Sequence, residues 1–415
     1  MTTTATKQPP AGTQKLSAAV FMFGILLVSY VIIAMDRQLF PLLVSDVRAE
    51  YDFGLADAGL LSTVFTLGMG LAGIPTAFLM ARLSRKNVII IGIAVFSVTT
   101  FLTAFSFGFA DMFIYRAVSG LGEAMQLTAL LAIAASYFTK RRGLAIGSVN
   151  MSFALGGAIS PVLGGALLAS HDWRMPLIVF GLLGIAAIVL IVIFVRKWFT
   201  EATPTLEEVD AAKEGERHFV APNVPKTFKN RNSILITLAT MTGGLLIFGY
   251  LGMYPTFLQE ELGFDVAQTS IIMSIFGLGA MLSIVGGMLG DIFNARIVLP
   301  AGFAVGIALA VLLFNGPDVF IYHAIFSFTW GAVISGTTYV NLAAFQVKAV
   351  RPDMASKASG IFIASLYIPA AFSGYLVGAA TNAMGWAEMG IFLLGGIALV
   401  GLVLTLFINP RTMTR

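Results

Sequence analysis

The chain alternates long apolar runs with short polar connections. Runs of about 20 residues recur from Leu16 to Ile408, and each is long enough to cross roughly 30 Å of hydrocarbon as an α-helix. The runs are continuously apolar, whereas the strands of a membrane barrel alternate in polarity over about ten residues. The pattern therefore predicts an all-α membrane protein with twelve spans, at 17–44, 55–81, 87–108, 111–138, 143–169, 175–195, 233–258, 266–291, 297–315, 318–347, 355–382 and 387–408.

The first run is predicted to be a membrane span and not a cleaved signal peptide. It is longer than a signal sequence, it follows a polar tail of about 15 residues, and it lacks an obvious small-residue cleavage site. Three prolines in later runs, Pro161, Pro255 and Pro369, are expected to kink or loosen their helices.

One long polar connection divides the twelve runs into two sets of six. Its Glu201–Arg217 part is charged, which predicts a solvated linker with a short amphipathic helix around Leu206–Ala212. Two sets of six spans indicate an internal repeat and two pseudo-symmetric bundles. The predicted organisation is a tail at 1–16, a bundle at 17–196, a linker at 197–231, a bundle at 232–408 and a tail at 409–415.

Composition and charge agree with this class. With 58% hydrophobic and 11% charged residues, the chain has too little polar surface for a soluble globule of 415 residues. Most of the 25 Lys and Arg residues fall on the side that holds both termini, so both termini are predicted to be cytoplasmic, in a cell inner membrane. Topology explains the net charge of +4, and no nucleic-acid partner is expected. The expected partners are the bilayer and a small substrate, with the monomer as functional unit.

Several chemistries are not supported by the residues present. The chain has no Cys and three scattered His residues, so no metal site or thiol nucleophile is predicted. No phosphate-binding Gly-Lys-Ser/Thr loop is found either. We therefore expect a carrier without a cofactor and without enzyme activity, driven by an ion gradient with protons as the coupling ion.

Ionisable residues lie inside two of the apolar runs. Asp36 and Arg37 come late in the first run, and Arg116 and Glu123 lie in the fourth. Charged side chains at such depth are costly and usually face a polar pathway, so they are candidates for transport chemistry. Arg116 and Glu123 are seven residues apart, which places them two turns, about 10 Å, apart on one helix face.

This spacing predicts different roles for the two carboxylates. A pair between Asp36 and Arg116 would leave Glu123 to exchange protons beside Arg37, because burial raises a carboxylate pKa and a nearby arginine lowers it. Glu123, assisted by Asp36, is the predicted proton-coupling residue. Arg37 and Arg116 are predicted to bind an anionic substrate through their forked guanidinium groups. Static interhelical ion pairs, or an Asp36–Arg37 pair reaching the interface, are the alternatives.

The second set of six spans has no ionisable residue at mid-span. Recognition there is expected to use neutral polar and aromatic side chains, with packing as the alternative role for each. The candidates are Tyr250, Tyr254, Thr337, Tyr339, Asn341, Ser365 and Tyr367, joined by Asn150 and Ser152 in the fifth span. Tyr250 and Tyr254 share a helix face, as do Thr337 and Asn341.

Two motifs, the basic residues Arg82, Arg85 and Lys86 and the segment from Arg116 to Ala124, resemble those of the major facilitator superfamily. The resemblance covers nearly the whole chain. Arg82, Arg85 and Lys86 match the basic end of the family's Gly-x-x-x-Asp-Arg-x-Gly-Arg-Arg/Lys motif, although Ala77, Ala81 and Ser84 replace its Gly, Asp and second Gly. Asp291 and Arg296 occupy the corresponding place in the second half. The family's motif implies a gating role for these residues, with Asp291 supplying the latch contact. The segment Arg116-x-x-Ser119-Gly120-x-Gly122-Glu123-Ala124 resembles the family's fourth-helix pattern.

Within that family the chain is similar to the organic anion:cation symporters and, next, to the spinster-like carriers. The resemblance implies proton-coupled symport of a sugar acid, an aromatic acid or another carboxylate by alternating access. A spinster-like lysolipid carrier is the alternative, since 34 Phe residues would suit a greasy cavity. A phosphate-ester exchanger is disfavoured, because it would need basic residues from both halves.

Overall fold

The computed structural model of the protein describes residues 16–202, 224–225, 227–351 and 354–414, and nearly all of them are helical. The N-half comprises α1 Leu16–Tyr51, α2 Leu55–Thr63, α3 Phe65–Leu71, α4 Gly73–Met80, α5 Arg85–Thr103, α6 Phe109–Tyr137, α7 Arg142–Ser170 and α8 Arg174–Phe194, followed by a single turn, α9 Lys197–Thr200. The predicted tail before residue 16 and the linker helix around Leu206–Ala212 lie outside the described residues.

The C-half is built from the same number of membrane-crossing units. Its elements are α10 Arg231–Thr256, a π-helical turn Phe257–Glu261, α11 Val266–Ala280, α12 Ser283–Ile292, α13 Ala295–Asn315, α14 Phe320–Trp330, a π-helical stretch Gly331–Thr338, α15 Tyr339–Lys348, α16 Ala355–Ala370, α17 Ser373–Met384, α18 Trp386–Met389, a second π-helical stretch Gly390–Gly395, α19 Gly396–Leu406 and a 3₁₀ turn Pro410–Thr412.

Most of these units are long enough to cross a membrane. Among the described residues, ten helical stretches are long and apolar enough to span a bilayer, and a pair bent by 44°, Leu55–Leu71 with Gly73–Met80, makes an eleventh. The remaining predicted span, 318–347, is present as α14 and α15 with the π-helical stretch between them.

Proline explains some of the interruptions. Pro75 lies in the first turn of α4, where a missing N–H is tolerated, directly after the bend at Ala72. α16 ends one residue after Pro369, as expected for a loosened helix. The turn after Pro255 is π-helical, whereas α7 runs uninterrupted across Pro161.

Two pairs of spans make the most extensive contacts between the halves. The second span packs on the eleventh through α2 and α17, and the fifth packs on the eighth through α7 and α11. Shifting each span number by six exchanges these two pairs, so the interface has the pseudo-twofold relation that the repeat predicts.

These contacts are tight on the face opposite the chain ends. A Cβ on Gly59 would lie 2.1 Å from the Gly374 carbonyl oxygen, and the Thr63 hydroxyl donates to the Ala371 carbonyl oxygen at 2.8 Å. Small residues allow this approach of the backbones. We call this the opposite face. The face where α1 begins and α19 ends is called the terminal face.

Candidate functional site

Two buried ion pairs join α1 to α6. The Nε atom of Arg37 donates to Glu123 Oε1 at 2.5 Å, and the Nη1 atom of Arg116 donates to Asp36 Oδ2 at 2.5 Å. Adjacent residues on a helix point about 100° apart, so Asp36 and Arg37 reach different partners two turns apart on α6. Both pairings inferred from the sequence are therefore present.

All four side chains are removed from solvent. Arg116 is 0% exposed, Glu123 2%, Asp36 4% and Arg37 5%. When all four are ionised their charges sum to zero, which matters because an unpaired charge in such an environment costs several kcal/mol or more. The arrangement therefore resists the addition of any single charge.

Glycines place α6 close to its neighbours. A Cβ on Gly120 would lie 1.8 Å from the Phe65 carbonyl oxygen, and one on Gly122 would lie 2.4 Å from the Gly92 carbonyl oxygen. Each glycine therefore admits a neighbouring backbone that a larger residue would push away. The Gly-x-Gly part of the fourth-helix motif thus packs the helix that carries Arg116 and Glu123.

The two pairs occupy different surroundings. The guanidinium carbon of Arg116 lies 4.5 Å from the centre of the Phe40 ring and 5.5 Å from that of Phe65, both in the N-half. The guanidinium carbon of Arg37 lies 4.5 Å from the Phe153 ring of the N-half and 5.9 Å from the Tyr367 ring of the C-half. Arg37 therefore stands at the boundary between the halves, and Arg116 lies inside one of them.

Further aromatic residues surround Arg37. Tyr30 lies within electrostatic range of Arg37, Glu123 and Tyr367, and Tyr339 lies within range of Arg37 and beside Tyr367. Tyr30 was not among the sequence candidates, although its position seven residues before Arg37 places it on the same face of α1. Phe153 was also missed, since an aromatic residue in an apolar helix carries no distinguishing signal.

Tyr250 and Tyr254 lie elsewhere. Their rings stack on each other with centres 4.5 Å apart, and Tyr250 also stacks on Trp330 at 5.2 Å. The Tyr254 hydroxyl hydrogen-bonds to His323 Nδ1 at 2.7 Å. Both tyrosines are fully buried within the C-half core, and the structure does not bring them to Arg37.

The polar candidates of the tenth and eleventh spans hydrogen-bond to backbone. Asn341 donates from Nδ2 to the carbonyl oxygens of Gly286 and Thr337, at 2.8 and 2.9 Å, and so ties α15 to α12. The Thr337 hydroxyl donates to the Ala332 carbonyl oxygen, inside the π-helical stretch. The Ser365 hydroxyl donates to the Phe362 carbonyl oxygen of its own helix.

Asn150 lines a cleft between the halves. The cleft has a volume of about 310 Å³ and is bounded by α7 on one side and mainly α12 on the other. The same two spans touch further along, where a Cβ on Gly277 would lie 2.8 Å from the backbone nitrogen of Ala158. They thus separate toward the terminal face. The Ser152 hydroxyl is not free to donate into this cleft, because it donates to the Ser148 carbonyl oxygen.

The basic motif residues of the N-half hold the start of the linker. Arg85 donates to the carbonyl oxygens of Thr200 and Ala202, at 3.3 and 3.1 Å. Lys86 Nζ donates to the Val195 carbonyl oxygen at 2.5 Å, and Arg82 covers the Phe78 ring at 4.0 Å.

The corresponding C-half residues lie apart from these. Asp291 accepts from Lys348 Nζ at 3.5 Å, and both side chains are on the terminal face of the C-half. Arg296 lies in the first turn of α13 and lines a separate surface cavity. Within the described residues, these contacts are each made inside one half or its linker, and Asp291 also lines the cleft beside Asn150.

A contact missed by the sequence reasoning joins the halves on the opposite face. Arg48 Nη1 forms an ion pair with Glu260 Oε2, and Gln259 Nε2 donates to the Leu42 carbonyl oxygen at 3.5 Å. Arg48 lies near the end of α1 and Glu260 lies in the π-helical turn after α10. Opposite charges at two loop-facing positions give no pairing signal in a sequence.

The site suits anion binding and proton exchange. Arg37 uses Nε for Glu123, and its Nη2 atom has no hydrogen-bond partner among the described residues. Its planar fork is therefore partly available to a carboxylate. For a metal ion, the residues that the structure describes offer no cluster of three or more His, Asp or Glu side chains.

Comparisons with known proteins agree with the fold. A family model described as Major Facilitator Superfamily matches residues 26–374. The chain is 24% identical over 387 residues to the cis,cis-muconate transport protein of Acinetobacter baylyi, covering 91% of each. It is 25% identical over 419 residues to the probable sulfoacetate transporter of Cupriavidus necator, covering 96% of this chain and 95% of the relative.

A solved structure has the same architecture. The crystal structure of a bacterial homolog to the human lysosomal transporter Spinster, in an inward-facing and unoccupied conformation, matches with a TM-score of 0.74 at 17% identity. The match covers 94% of this chain and 96% of that chain. It confirms the predicted all-α fold of two six-helix bundles.

Proposed function

The chain belongs to the Major Facilitator Superfamily and is a multi-pass secondary transporter, not an enzyme, and from this premise we propose that it carries a small organic anion together with protons. The predicted substrate class is a sugar acid, an aromatic acid or another carboxylate. The observation that carries the proposal is the position of Arg37, which is paired with Glu123 and flanked by aromatic rings from both halves.

Arg37 is the proposed anchor for the substrate carboxylate. A guanidinium fork holds a carboxylate through two parallel hydrogen bonds, and the Nη2 atom of Arg37 has no hydrogen-bond partner among the described residues. The Nε and Nη2 atoms of Arg116 also lack one there, so the position of Arg37 beside a ring of the other half is what favours it as the anchor. The centres of the Phe153 and Tyr367 rings lie 4.5 and 5.9 Å from the guanidinium carbon, and these rings would pack against the body of the substrate. Arg116 is proposed to hold Asp36 in place, which refines the earlier hypothesis that both arginines bind substrate.

Charge balance supplies the reason for proton coupling. The four ionised side chains sum to zero, so a bound monoanion would leave the buried site with a net charge of −1. Protonation of Glu123 restores neutrality and also frees the Nε atom of Arg37 for the substrate. Because an uncompensated buried charge is strongly unfavourable, anion and proton are proposed to bind together.

The two ends of the interface between the halves differ in a way that fits alternating access. The halves are joined at the opposite face by the Arg48–Glu260 pair and by close glycine contacts, and they separate around Asn150 toward the terminal face. Since basic residues concentrate on the terminal face, we propose that this face is cytoplasmic, in a cell inner membrane. The conformation described here is then the one open to the cytoplasm.

A lysolipid or similar amphipathic molecule is the second candidate substrate. It is favoured by the structural likeness to the Spinster homolog and by the aromatic residues around Arg37. The names of the two relatives that match most of the chain refer to muconate and sulfoacetate, and both are organic acids. The site formed by Asp36, Arg37, Arg116 and Glu123 is buried and charged, and it therefore suits a small anion better than a long acyl chain.

A ligand panel tests the proposal. Sugar acids, aromatic acids, dicarboxylates and lysolipids are scored by the increase in melting temperature of the purified protein. Each hit is then tested for uptake into proteoliposomes with and without an inward proton gradient. We expect a small carboxylate to stabilise the protein and to accumulate only with the gradient. Stabilisation by lysolipids alone would refute the small-anion proposal.

A further inference from the structure

A second basic site lies on the terminal face, away from the central ion pairs. A cavity of about 690 Å³ is lined by three arginines, Arg231, Arg296 and Arg411. Through their guanidinium groups, these arginines form no ion pair or hydrogen bond within the described ranges 16–202, 224–225, 227–351 and 354–414. The other lining residues carry no negative charge: Asn294, Ile297, Phe407, Ile408, Asn409 and Pro410.

The cavity is at the junction of three helices. Arg231 is the first residue of α10, Arg296 is in the first turn of α13, and Arg411 lies in the 3₁₀ turn that follows α19. α19 packs against both α10 and α13. Neither α10 nor α13 has an acidic residue in its first turn, although acidic residues are favoured there. The positive ends of two helices therefore add to three arginines that have no acidic partner among the described residues.

Hydrogen bonds hold this junction in place. Asn232 donates from Nδ2 to the Asn409 carbonyl oxygen at 2.8 Å and accepts from the Asn409 backbone N–H at 2.8 Å. Asn232 is 2% exposed, and its Nδ2 also donates to the Thr412 hydroxyl at 3.0 Å. The turn that carries Arg411 is thus clamped to the start of α10, so the cavity is formed before any ligand arrives.

Apolar residues at the cavity rim identify the neighbouring medium. Ile297 and Phe407 line the cavity and are 53% and 55% exposed, and Ile292 nearby is 72% exposed. Side chains of this kind at a helix end face lipid, because exposed apolar surface of this extent is unfavourable in water. The cavity therefore opens where the apolar flank of the protein meets its charged face, at the level of lipid headgroups.

We propose that this cavity binds the phosphate-bearing headgroup of an anionic membrane lipid in the leaflet of the terminal face. The three arginines bind the phosphate oxygens, and the acyl chains lie against Ile297 and Phe407. Basic pockets between membrane helices bind such headgroups, and each basic residue near the surface strengthens binding roughly fivefold. The lipid would brace the seventh, ninth and twelfth spans against one another, so it is a structural ligand and not the transported substrate.

The test measures lipid binding by the full-length purified protein. Native mass spectrometry compares phosphatidylglycerol with phosphatidylcholine, for the wild type and for a variant with Arg231→Gln, Arg296→Gln and Arg411→Gln. The matched control is Arg82→Gln, Arg141→Gln and Arg196→Gln, which removes three arginines of the N-half. We expect the cavity variant to lose at least about tenfold in phosphatidylglycerol affinity. The control should stay within about twofold of the wild type, and phosphatidylcholine binding should not change.

Three results would overturn the proposal. The first two are an equal loss of phosphatidylglycerol affinity in the cavity and control variants, and an unchanged affinity in the cavity variant. The third is that inorganic phosphate stabilises the protein as much as phosphatidylglycerol does, which would indicate that the site binds a soluble anion. The single variant Arg411→Gln, in an exposed turn, provides the comparison if the triple variant does not fold. Its expected loss of affinity is about fivefold.

Discussion

The Nε atom of Arg37 is bonded to Glu123 at 2.5 Å, and the same guanidinium group reaches an aromatic ring of the other half. The Asp36–Arg116 pair, whose arginine lies two turns before Glu123 on α6, contacts rings of the N-half. The two arginine–carboxylate pairs therefore differ in what surrounds them. The difference supports a dynamic role for the first pair and a static role for the second.

Replacement of Arg37 tests substrate recognition. Arg37→Lys retains the charge but loses the planar fork, so we expect substrate affinity to fall roughly tenfold or more through the loss of one charge-assisted hydrogen bond. Binding of the ligand identified by the panel is measured by calorimetry on purified protein. Arg82→Lys, an exposed substitution on the terminal face, is the control. Equal affinity in Arg37→Lys and wild type would remove Arg37 from the binding site.

Replacement of Arg116 tests the static role of the second pair. Arg116→Gln leaves Asp36 buried without its partner, which is expected to destabilise the protein by about 3–5 kcal/mol. Adding Asp36→Asn removes the orphaned charge and should recover most of that loss. Thermal unfolding in detergent measures both variants. If Arg116→Gln melts like the wild type, the pair does not stabilise the N-half.

The close approach of Gly59 and Gly374 predicts a conformational variant. In Gly59→Ala the new Cβ would lie 2.1 Å from the Gly374 carbonyl oxygen, so the opposite face cannot close fully. The chain has no Cys, which allows spin labels at Asp46→Cys and Glu261→Cys to report the separation of the halves. We expect a longer distance in Gly59→Ala. The control is Gly73→Ala, whose Cβ would meet nothing within 4 Å, and a change of equal size there would contradict the prediction.

The Arg48–Glu260 pair is expected to be a weak latch. Its side chains are 28% and 31% exposed, and a partly exposed ion pair contributes at most about 1 kcal/mol. Arg48→Glu should therefore shift the same spin-label distance toward the open form, with a modest change in population that diminishes at high salt. The exchange variant, Arg48→Glu with Glu260→Arg, should restore the wild-type distribution. Failure of the exchange to restore it would indicate that the pair does not hold the face closed.

Helix periodicity was sufficient to predict the ion pairs but not the faces of the C-half. Asp36 and Arg37 are rare charged residues in an apolar span, and seven-residue spacing on α6 places Arg116 and Glu123 within their reach. Tyr250 and Tyr254 share a face by the same rule, yet that face packs against Trp330 and the core. An apolar membrane helix has no polarity contrast that distinguishes a face toward the cavity from a face toward the core.

The sequence pattern also did not predict the helix interruptions or the contacts between the halves. The continuous apolar run at 55–81 gave no indication of the break near Val64, and the π-helical stretch Gly331–Thr338 depends on packing of the tenth span. The family resemblance placed Asp291 as a latch, whereas the structure pairs it with Lys348 of the same half. Whether Asp291 gates transport stays a prediction.

The most direct measurement of the central claim is the number of protons taken up when the substrate anion binds. Calorimetric titrations in buffers of different ionisation heat measure this number for the wild type, for Glu123→Gln and for the exposed control Glu388→Gln. We expect the wild type and the control to take up protons with the anion, and Glu123→Gln to bind the anion without them. In proteoliposomes, Glu123→Gln should then exchange substrate but not accumulate it under a proton gradient. Proton uptake and accumulation at wild-type levels in Glu123→Gln would contradict the account.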